Sequence, residues 1–243
     1  GDSLAELDVI IPRIGRSLTE LGYLLLKHLA TMGIPTTMTA DGLLTARNKF
    51  LALQALLEDG VTVPRTVLLG SRIDAEEALK LLPYPAVLKL LTGTQGLGVL
   101  RVRDASEAAS IVDTLSVLGQ TVCIQEFIPH PGVDIRIFVV DRRVVGSMKR
   151  VAALHEWRTN IHLGASPLDF PLDEATERMA VRATRATGLE IAGVDVVFRD
   201  ETPYVLEVNA CPGYRGLLKA TGVNAAEHMV GYAVQKAAHR IPA

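Results

Sequence analysis

Hydrophobic positions along the chain follow two periodicities, and together they predict a mixed α and β protein. Apolar residues three or four apart predict amphipathic helices, and runs of β-branched residues bounded by turn residues predict strands. The predicted helices cover residues 17–32, 48–57, 104–118, 173–188 and 225–239, with a short helix capped by Asp74. The predicted strands cover residues 7–11, 63–69, 86–91, 99–102, 121–128, 135–140, 144–151, 193–198 and 203–209, and residues 35–42 and 155–166 are predicted connections. Antiparallel strands mixed with helices predict an α+β fold in two lobes around a cleft.

Length, composition and charge narrow the class of protein. The chain has 243 residues, of which 49% are hydrophobic and 21% charged, as expected for one large or two modest globular domains. A net charge of -2 gives no basic field for nucleic acid. Apolar runs stay short of the ~18 residues that a membrane span needs, and residues 1–7 do not show the basic and apolar regions typical of a signal peptide. Cys123 and Cys211 lie far apart in sequence. We therefore expect a reduced, cytoplasmic protein.

Three polar residues on the predicted hairpin at 193–209 form a candidate metal site. Glu207 and Asn209 are two positions apart, so their side chains leave the same face of a strand. Asp195 is expected on the neighbouring strand. Two carboxylates and an amide oxygen suit magnesium together with nucleotide phosphates. The alternative is a solvated polar face, but both strands are otherwise apolar, which favours a site.

A glycine-rich stretch at 93–98 follows Lys89, which lies in the middle of an apolar strand. Glycines let backbone N–H groups approach an anion, and a buried ammonium needs a negative partner such as a phosphate. The alternative is an ordinary hairpin turn with a snorkelling lysine. The pattern is neither GxxxxGK[ST] nor GxGxxG, and a redox enzyme that uses a dinucleotide is therefore disfavoured.

Asp134 and Arg136 are also two positions apart and share one face of a predicted strand. They form either a structural ion pair or a hydroxyl acceptor beside a phosphate or carboxylate clamp. Arg150, Arg158 and Asn160 follow in the next segment and add donors for an anion.

Taken together, these segments resemble the ATP-grasp ligases and, among them, the RimK-like glutamate ligases. The resemblance runs in order through residues 7–15, 49, 89–98, 125–128, 134–136, 158–160, 193–195, 207–213 and 219–223. It implies an ATP-grasp fold, in which two α+β lobes hold ATP between them, preceded by part of a pre-ATP-grasp domain. The implied boundaries are 1–46 for that partial domain and 47–243 for the ATP-grasp domain, with lobes at about 62–128 and 129–243.

The resemblance implies a role for each matching residue. Lys49 and Lys89 would hold the ATP phosphates, and the glycine loop at 93–98 would close over them. Glu126 and Phe127 would contact adenine mainly through backbone groups. Asp134 would accept a hydrogen bond from a ribose hydroxyl. The implied ATP contacts are Lys49, Lys89, Gly93, Thr94, Gln95, Gly96, Gly98, Glu126, Phe127, Asp134, Arg158, Thr159 and Asn160. The implied catalytic residues are Arg136, Arg150, Arg158 and Asn160. Two magnesium or manganese ions would bind Asp195, Glu207 and Asn209.

The implied reaction joins a carboxylate and an amine at the expense of ATP, through an acyl phosphate. The partners would be an amino acid such as glutamate and an acceptor carboxylate. Relatives use a protein C-terminus, a pterin or deazaflavin tail, or an amino-group carrier protein as acceptor. Nucleic acid and membranes are not expected, and a homo-oligomer is left open. The alternative is a nucleotide-binding module without ligase activity, against which the three predicted metal ligands argue.

Three departures from the family pattern concern the N-terminal region and the acceptor side. The chain begins inside the family's usual N-terminal domain. Residues 150–154 read Arg-Val-Ala-Ala-Leu where the ribosomal-protein ligase has two adjacent arginines and then a basic–acidic pair. Thr92 replaces an acid before the glycine loop, and Arg215 replaces an acid after Pro212 and Gly213. We therefore expect the acceptor to differ.

Overall fold

Two antiparallel sheets organise the chain in the computed structural model, which describes residues 4–70, 75–91, 98–153, 159 and 164–239. One sheet has four strands and the other has five, and helices cover both. The α+β class predicted from the sequence is confirmed. Within the described ranges, no helix combines the length and the apolar character that crossing a bilayer would require.

The smaller lobe contains the four-stranded sheet and two helices. Its elements are β1 (Thr66–Leu69), α4 (Ala75–Lys80), β2 (Ala86–Leu90), β3 (Val99–Val102), α5 (Ala105–Val117) and β4 (Val122–Glu126), with strand order β1-β4-β2-β3. Leu88 and Ile124 are paired across β2 and β4 and lie in the core under the helices. Asp104 caps α5 by accepting from the backbone N–H of Glu107 at 2.8 Å, as the sequence predicts.

The larger lobe contains the five-stranded sheet, with order β7-β6-β5-β8-β9. Its elements are β5 (Val133–Val140), β6 (Arg143–Val151), β7 (Ser166–Asp169), α6 (Glu174–Ala186), β8 (Ile191–Arg199), β9 (Thr202–Asn209), α7 (Arg215–Thr221) and α8 (Ala225–Ala238). One face of the sheet packs on α6 and on the N-terminal helices, and α7 and α8 cover part of the other face. The uncovered remainder of that second face is the floor of a cleft.

Alternation along β5 decides which side chains reach the cleft. Ile135 and Ile137 point into the core beneath the sheet, so Asp134 and Arg136 point to the opposite face. Phe138 continues that opposite face but lies under the α7–α8 cover. The cleft end of β5 is therefore polar and the covered end apolar.

A β-bulge in β9 sets the direction of its polar side chains. Asp195 pairs with Glu207, but the next residue of β8 pairs with Val205, so Leu206 is the extra residue. Val205 and Val208 can then both lie in the core although they are three positions apart. Glu207 and Leu206 both line the cleft as a result.

The N-terminal helices share the core of the larger lobe. They are α1 (Thr19–Thr31), α2 (Ala40–Arg47) and α3 (Lys49–Glu58), with 3-10 turns at Leu4–Glu6 and Arg16–Leu18. Leu26, Leu43 and Leu53 contribute one side chain from each helix to that core. The segment before α1, residues 13–17, and the ends of α2 and α3 at Ala46, Arg47 and Lys49 are thereby held at the rim of the cleft.

Several sequence predictions need correction. The strand predicted at 7–11 is wrong, because only one isolated bridge, between Ile10 and Thr36, pairs this segment within the described residues. The predicted connection at 35–42 already contains the start of α2, capped by Thr39. Ser166, placed in a loop, begins β7, and α7 was not predicted. The cap at Asp74 lies outside the described residues.

Candidate active site in the cleft

A cavity of about 1030 Å³ lies between the two sheets and the N-terminal segment. Among its described lining residues, eight are basic and four acidic. The basic residues are Arg13, Arg16, Arg47, Lys49, Lys89, Arg136, Arg150 and Arg215, and the acidic residues are Glu126, Asp134, Asp195 and Glu207. The chain as a whole carries a net charge of -2. This concentration of positive charge in a concave site favours an anionic ligand.

Lys89 extends from β2 into the cavity and is held there by Gln125. Its Nζ donates to Gln125 Oε1 at 2.6 Å, and Gln125 Nε2 donates to Thr66 Oγ1 at 3.0 Å. Burial lowers the pKa of Lys89, although Glu207 and Asp195 partly offset the effect. A lysine fixed in this way presents its charge to the cavity.

Lys49 lines the same cavity as Lys89. It is the first residue of α3, where Asn48 caps the helix by accepting from the backbone N–H of Phe50 at 3.0 Å. Burial lowers the pKa of Lys49 to about 8, and the charges of Arg16 and Lys89 act in the same direction. Several positive charges are thus confined together, as a polyphosphate ligand requires.

Two arginines and two aspartates form a buried network on the cleft face of the larger sheet. Arg136 Nε and Nη2 donate to the two oxygens of Asp195 at 2.5 and 2.6 Å. Arg150 pairs with both oxygens of Asp134 and lies 3.1 Å from Asp195 Oδ2. Thr159 Oγ1 donates to Asp134 at 2.6 Å. Burial opposes the charged form of Asp195, but Arg136 and Arg150 outweigh it and hold its pKa below the ordinary range.

Gly193 makes room for this network. A Cβ at Gly193 would lie 2.7 Å from the Cβ of Pro212 and 3.3 Å from the Cδ of Arg136. Any side chain here would displace Arg136 from Asp195 or push away the segment after β9. The glycine of the Gly-Val-Asp motif is therefore required by close packing.

The three predicted metal ligands lie together, but they are not equally available. Arg136, Arg150 and Asn209 Nδ2, the last at 3.4 Å, all contact Oδ2 of Asp195, whereas Oδ1 accepts from Arg136 Nε. The carboxylate of Glu207 lines the cavity and is 3.7 Å from the nearest arginine nitrogen, Arg16 Nη1. Glu207 and the amide oxygen of Asn209 suit a hard cation as they stand. In the described ranges, no three His, Cys, Asp or Glu side chains form a ready metal cluster.

Glu126 and Phe127 connect the two lobes at one end of the cavity. Their backbone N–H groups donate to Arg65 O at 2.8 Å and Pro85 O at 3.3 Å. The carboxylate of Glu126 pairs with Arg199 of the larger sheet. These contacts fix the position of the connection between the lobes, and the adenine contacts of Glu126 and Phe127 stay a prediction.

Some predicted ligand contacts cannot be placed. Gly93, Thr94, Gln95, Gly96, Arg158 and Asn160 lie outside the described residues. Gly98 is described: it has φ +69 and its carbonyl accepts from Leu90 N at 3.1 Å. That bond places the end of the glycine loop beside β2, the strand that carries Lys89.

Sequence reasoning missed three arginines that line the cavity: Arg13, Arg16 and Arg47. Arg13 Nη2 donates to Pro212 O at 2.9 Å and so joins the N-terminal segment to the segment after β9. For Arg13, the available signal was a charge after an apolar run, within residues 7–15 of the family resemblance; Arg16 and Arg47 lie outside the quoted segments. No periodicity gave them a role, because their partners are distant in sequence: Arg13 donates to Pro212 O and Arg16 lies near Glu207, while Arg47 donates to Ile14 O.

The family comparisons cover nearly the whole chain. The sequence model described as the RimK-like ATP-grasp domain matches residues 46–233, and that of the RimK PreATP-grasp domain matches residues 1–43. A probable alpha-L-glutamate ligase of Pasteurella multocida is 38% identical over 234 residues, covering 96% of this chain and 75% of that protein.

Solved structures share the fold. A RimK domain ATP-grasp protein from Sphaerobacter thermophilus matches with a TM-score of 0.74 and 24% identity, covering 94% of this chain and 82% of that one. The ATP-grasp ligase PsnB, complexed with a phosphomimetic variant of its minimal precursor, Mg and ADP, matches with a TM-score of 0.72 and 18% identity, covering 94% and 77%. These likenesses confirm the predicted ATP-grasp fold.

Proposed function

The chain belongs to the RimK-like ATP-grasp family and is an ATP-dependent ligase, and we propose that it joins the amine of glutamate or a similar amino acid to an acceptor carboxylate. The observation that supports this most directly is the cavity itself, where Lys49 and Lys89 face the carboxylate of Glu207 across a basic cleft. A nucleoside triphosphate with a divalent cation matches that charge pattern, since the cation interacts with Glu207 and the phosphates with the lysines.

In the proposed reaction, the acceptor carboxylate attacks the γ-phosphorus of ATP, and the bond to the β-phosphate oxygen breaks to release ADP. The amine then attacks the carbonyl carbon of the acyl phosphate, loses a proton and expels inorganic phosphate. Lys49 and Lys89 bind the phosphates and stabilise the charge that develops on them.

The metal site of this proposal is Glu207 with Asn209. Magnesium bound there would neutralise phosphate charge and align the phosphates. A second ion would require an oxygen of Asp195, and Oδ1, which accepts a single hydrogen bond, from Arg136 Nε, is the more available of the two in the described part of the chain. Arg136 and Arg150 also fix the floor of the site, and direct contact of either with substrate stays a proposal.

The test is ADP release that depends on both a carboxylate and an amine. The protein is incubated with magnesium and ATP across a panel of amino acids and acceptor carboxylates, and ADP, phosphate and the amide product are measured. Ligase activity gives one ADP and one phosphate per amide. ATP binding without such release for any pair would favour the nucleotide-binding module instead.

Replacement of Lys89 by methionine should weaken ATP binding by about ten- to a hundredfold. A charge-assisted hydrogen bond to phosphate contributes roughly 1.5–3 kcal/mol, which corresponds to that range. Lys27→Met is the matched control, because Lys27 is exposed on α1 and pairs with Asp41. Calorimetric titration with magnesium and ATP measures the ATP affinity of the two variants. Equal affinities for the two variants would make Lys89 a structural lysine.

ATP binding should be coupled to proton uptake by Lys49. With a pKa of about 8 in the free protein, Lys49 is half protonated at pH 8, and phosphate favours its charged form. We expect uptake of about half a proton at pH 8 and an affinity about tenfold lower at pH 9 than at pH 7. Calorimetry in Tris and in phosphate buffer measures the uptake. Lys49→Met should abolish it, and unchanged uptake in that variant would contradict the assignment.

A further inference from the structure

Arg199, the last residue of β8, reaches from the larger sheet to the smaller lobe. Because side chains alternate along a strand, Arg199 shares the cleft face of β8 with Asp195 and Val197, which both line the cavity. Its guanidinium pairs with the carboxylate of Glu126, the last residue of β4. The pair therefore joins the two sheets at the connection between the lobes. The proposed roles of the lysines and of the metal ligands do not involve Arg199.

The neighbouring strand orients the guanidinium of Arg199. Arg199 is opposite Thr202 in the β8–β9 hairpin, so Tyr204 is its diagonal neighbour on the same face of the sheet. The Cζ of Arg199 lies 5.2 Å from the centre of the Tyr204 ring. A guanidinium over an aromatic face is attracted by the negative charge of that face. The ring thus restrains the arginine in the position from which it contacts Glu126.

The side chain of Glu126 connects Arg199 to the backbone between the lobes. Its Oε2 accepts from the backbone N–H of Arg65 at 3.3 Å, and the N–H of Glu126 donates to Arg65 O at 2.8 Å. The segment before Arg65 is bound to β9, because Val205 N donates to Thr62 O at 2.9 Å. The side chain of Glu126 is 14% exposed and that of Arg199 is 38% exposed, so the pair is partly shielded from water. Three segments of the chain therefore meet at this carboxylate.

We propose that Arg199 is a positioning residue for the nucleotide, which acts by holding Glu126 and with it the connection between the lobes. This inference rests on the proposed function, because it takes the adenine of ATP to lie beside Glu126 and Phe127. Backbone groups select a base through hydrogen bonds to its edge, and they do so best when the backbone is fixed before the ligand binds. Arg199 thus increases the preference for adenine over other bases without contacting the nucleotide.

The test compares ADP with GDP, which carry the same phosphates and differ in the base. Calorimetric titration of ADP with magnesium, followed by displacement of ADP with GDP, gives both affinities without any turnover. Arg199→Gln should weaken ADP binding by about fivefold, the upper range for a partly exposed ion pair, and should weaken GDP binding less. Arg199→Lys should recover part of the loss, because an ammonium still pairs with Glu126 but lacks the planar guanidinium.

Two further variants serve as controls. Arg178→Gln removes an exposed ion pair with Glu174 that lies within α6, and it should change neither affinity. Adding Glu126→Gln to Arg199→Gln should cause little further loss of ADP affinity, because the two residues act as one pair. The ligand-free Arg199→Gln protein should melt near the wild-type temperature, since the pair lies at the surface of the connection.

The outcomes separate this inference from the proposed function. A reduced preference for ADP in Arg199→Gln supports the inference even if no amide forms. Equal losses of ADP and GDP affinity would overturn it, because Arg199 would then act through its charge on the phosphates. Unchanged ADP affinity would overturn it as well, and in both cases the proposed function stands if ADP release still requires acceptor and amine. A wild-type protein that binds neither nucleotide would overturn both.

Discussion

Arg150→Met should destabilise the folded protein by about 3–5 kcal/mol, the range observed when one partner of a buried ion pair is removed. Arg150 is buried and binds both oxygens of Asp134. Among the described residues, Thr159 is the side-chain partner that Asp134 keeps once the arginine is gone. The carboxylate of Asp195 is affected less by the loss of Arg150, because Arg136 still donates to both of its oxygens. Urea denaturation of the ligand-free protein measures the loss.

Two controls identify the orphaned carboxylate as the cause. Arg143→Met, on the exposed end of the same strand, should change stability by less than about 0.5 kcal/mol. Adding Asp134→Asn to Arg150→Met should restore part of the loss, because the buried charge is removed. A double variant that is less stable than the single variant would contradict this account.

The pH dependence of Arg150→Met has a definite sign. Burial already raises the pKa of Asp134 in the wild type, and the charge of Arg150 opposes that rise. Removing the arginine therefore raises the pKa of Asp134 further, so the folded variant holds a proton that the unfolded chain has released. Stability of the variant therefore falls as pH rises from about 4 towards neutral. In the wild type, the lowered pKa of Asp195 contributes stability above the unfolded pKa, and this contribution is lost as pH falls. The difference between the two proteins should be larger at pH 7 than at pH 5.

Local patterns predicted the elements whose signals lie within one segment. Asp104 and Asp173 sit at the starts of α5 and α6 because each accepts a backbone N–H three residues on, a short-range interaction. The alternation of β5 and β8 is likewise local, and it placed Asp134, Arg136 and Asp195 on one face. The resemblance supplied the ATP-grasp fold, which the solved structures confirm.

Features that depend on distant residues were not predictable in this way. The spacing of Asp134 and Arg136 predicted that they share one face of a strand. It could not predict their partners, because Asp134 pairs with Arg150 on β6 and Arg136 pairs with Asp195 on β8. The bulge at Leu206 leaves no periodic signal because it shifts the pattern by one residue. The strand predicted at 7–11 failed for the same kind of reason: an apolar run forms a strand only where a partner strand exists.

Glu207→Gln should lower the rate of amide formation by at least about a hundredfold, the loss typical of one preorganised electrostatic group. The amide is nearly isosteric and keeps one oxygen for a cation, but it removes a full negative charge from the metal site. In phosphoryl transfer, positioning and charge stabilisation carry most of the rate, so turnover should suffer more than ATP binding. The side chain of Glu207 is 35% exposed and faces the cavity, so the ligand-free fold should melt near the wild-type temperature.

Glu201→Gln is the matched control, because Glu201 lies in the exposed turn of the same β8–β9 hairpin. It should retain wild-type turnover, which isolates the position of Glu207 from any general effect of removing an acid. The ADP release that requires both substrates is followed for all three proteins across a range of magnesium concentrations. Because the weakened site binds the cation less tightly, Glu207→Gln should recover part of its rate at high magnesium. A variant at 207 that turns over as fast as wild type at every concentration would show that the metal is held elsewhere.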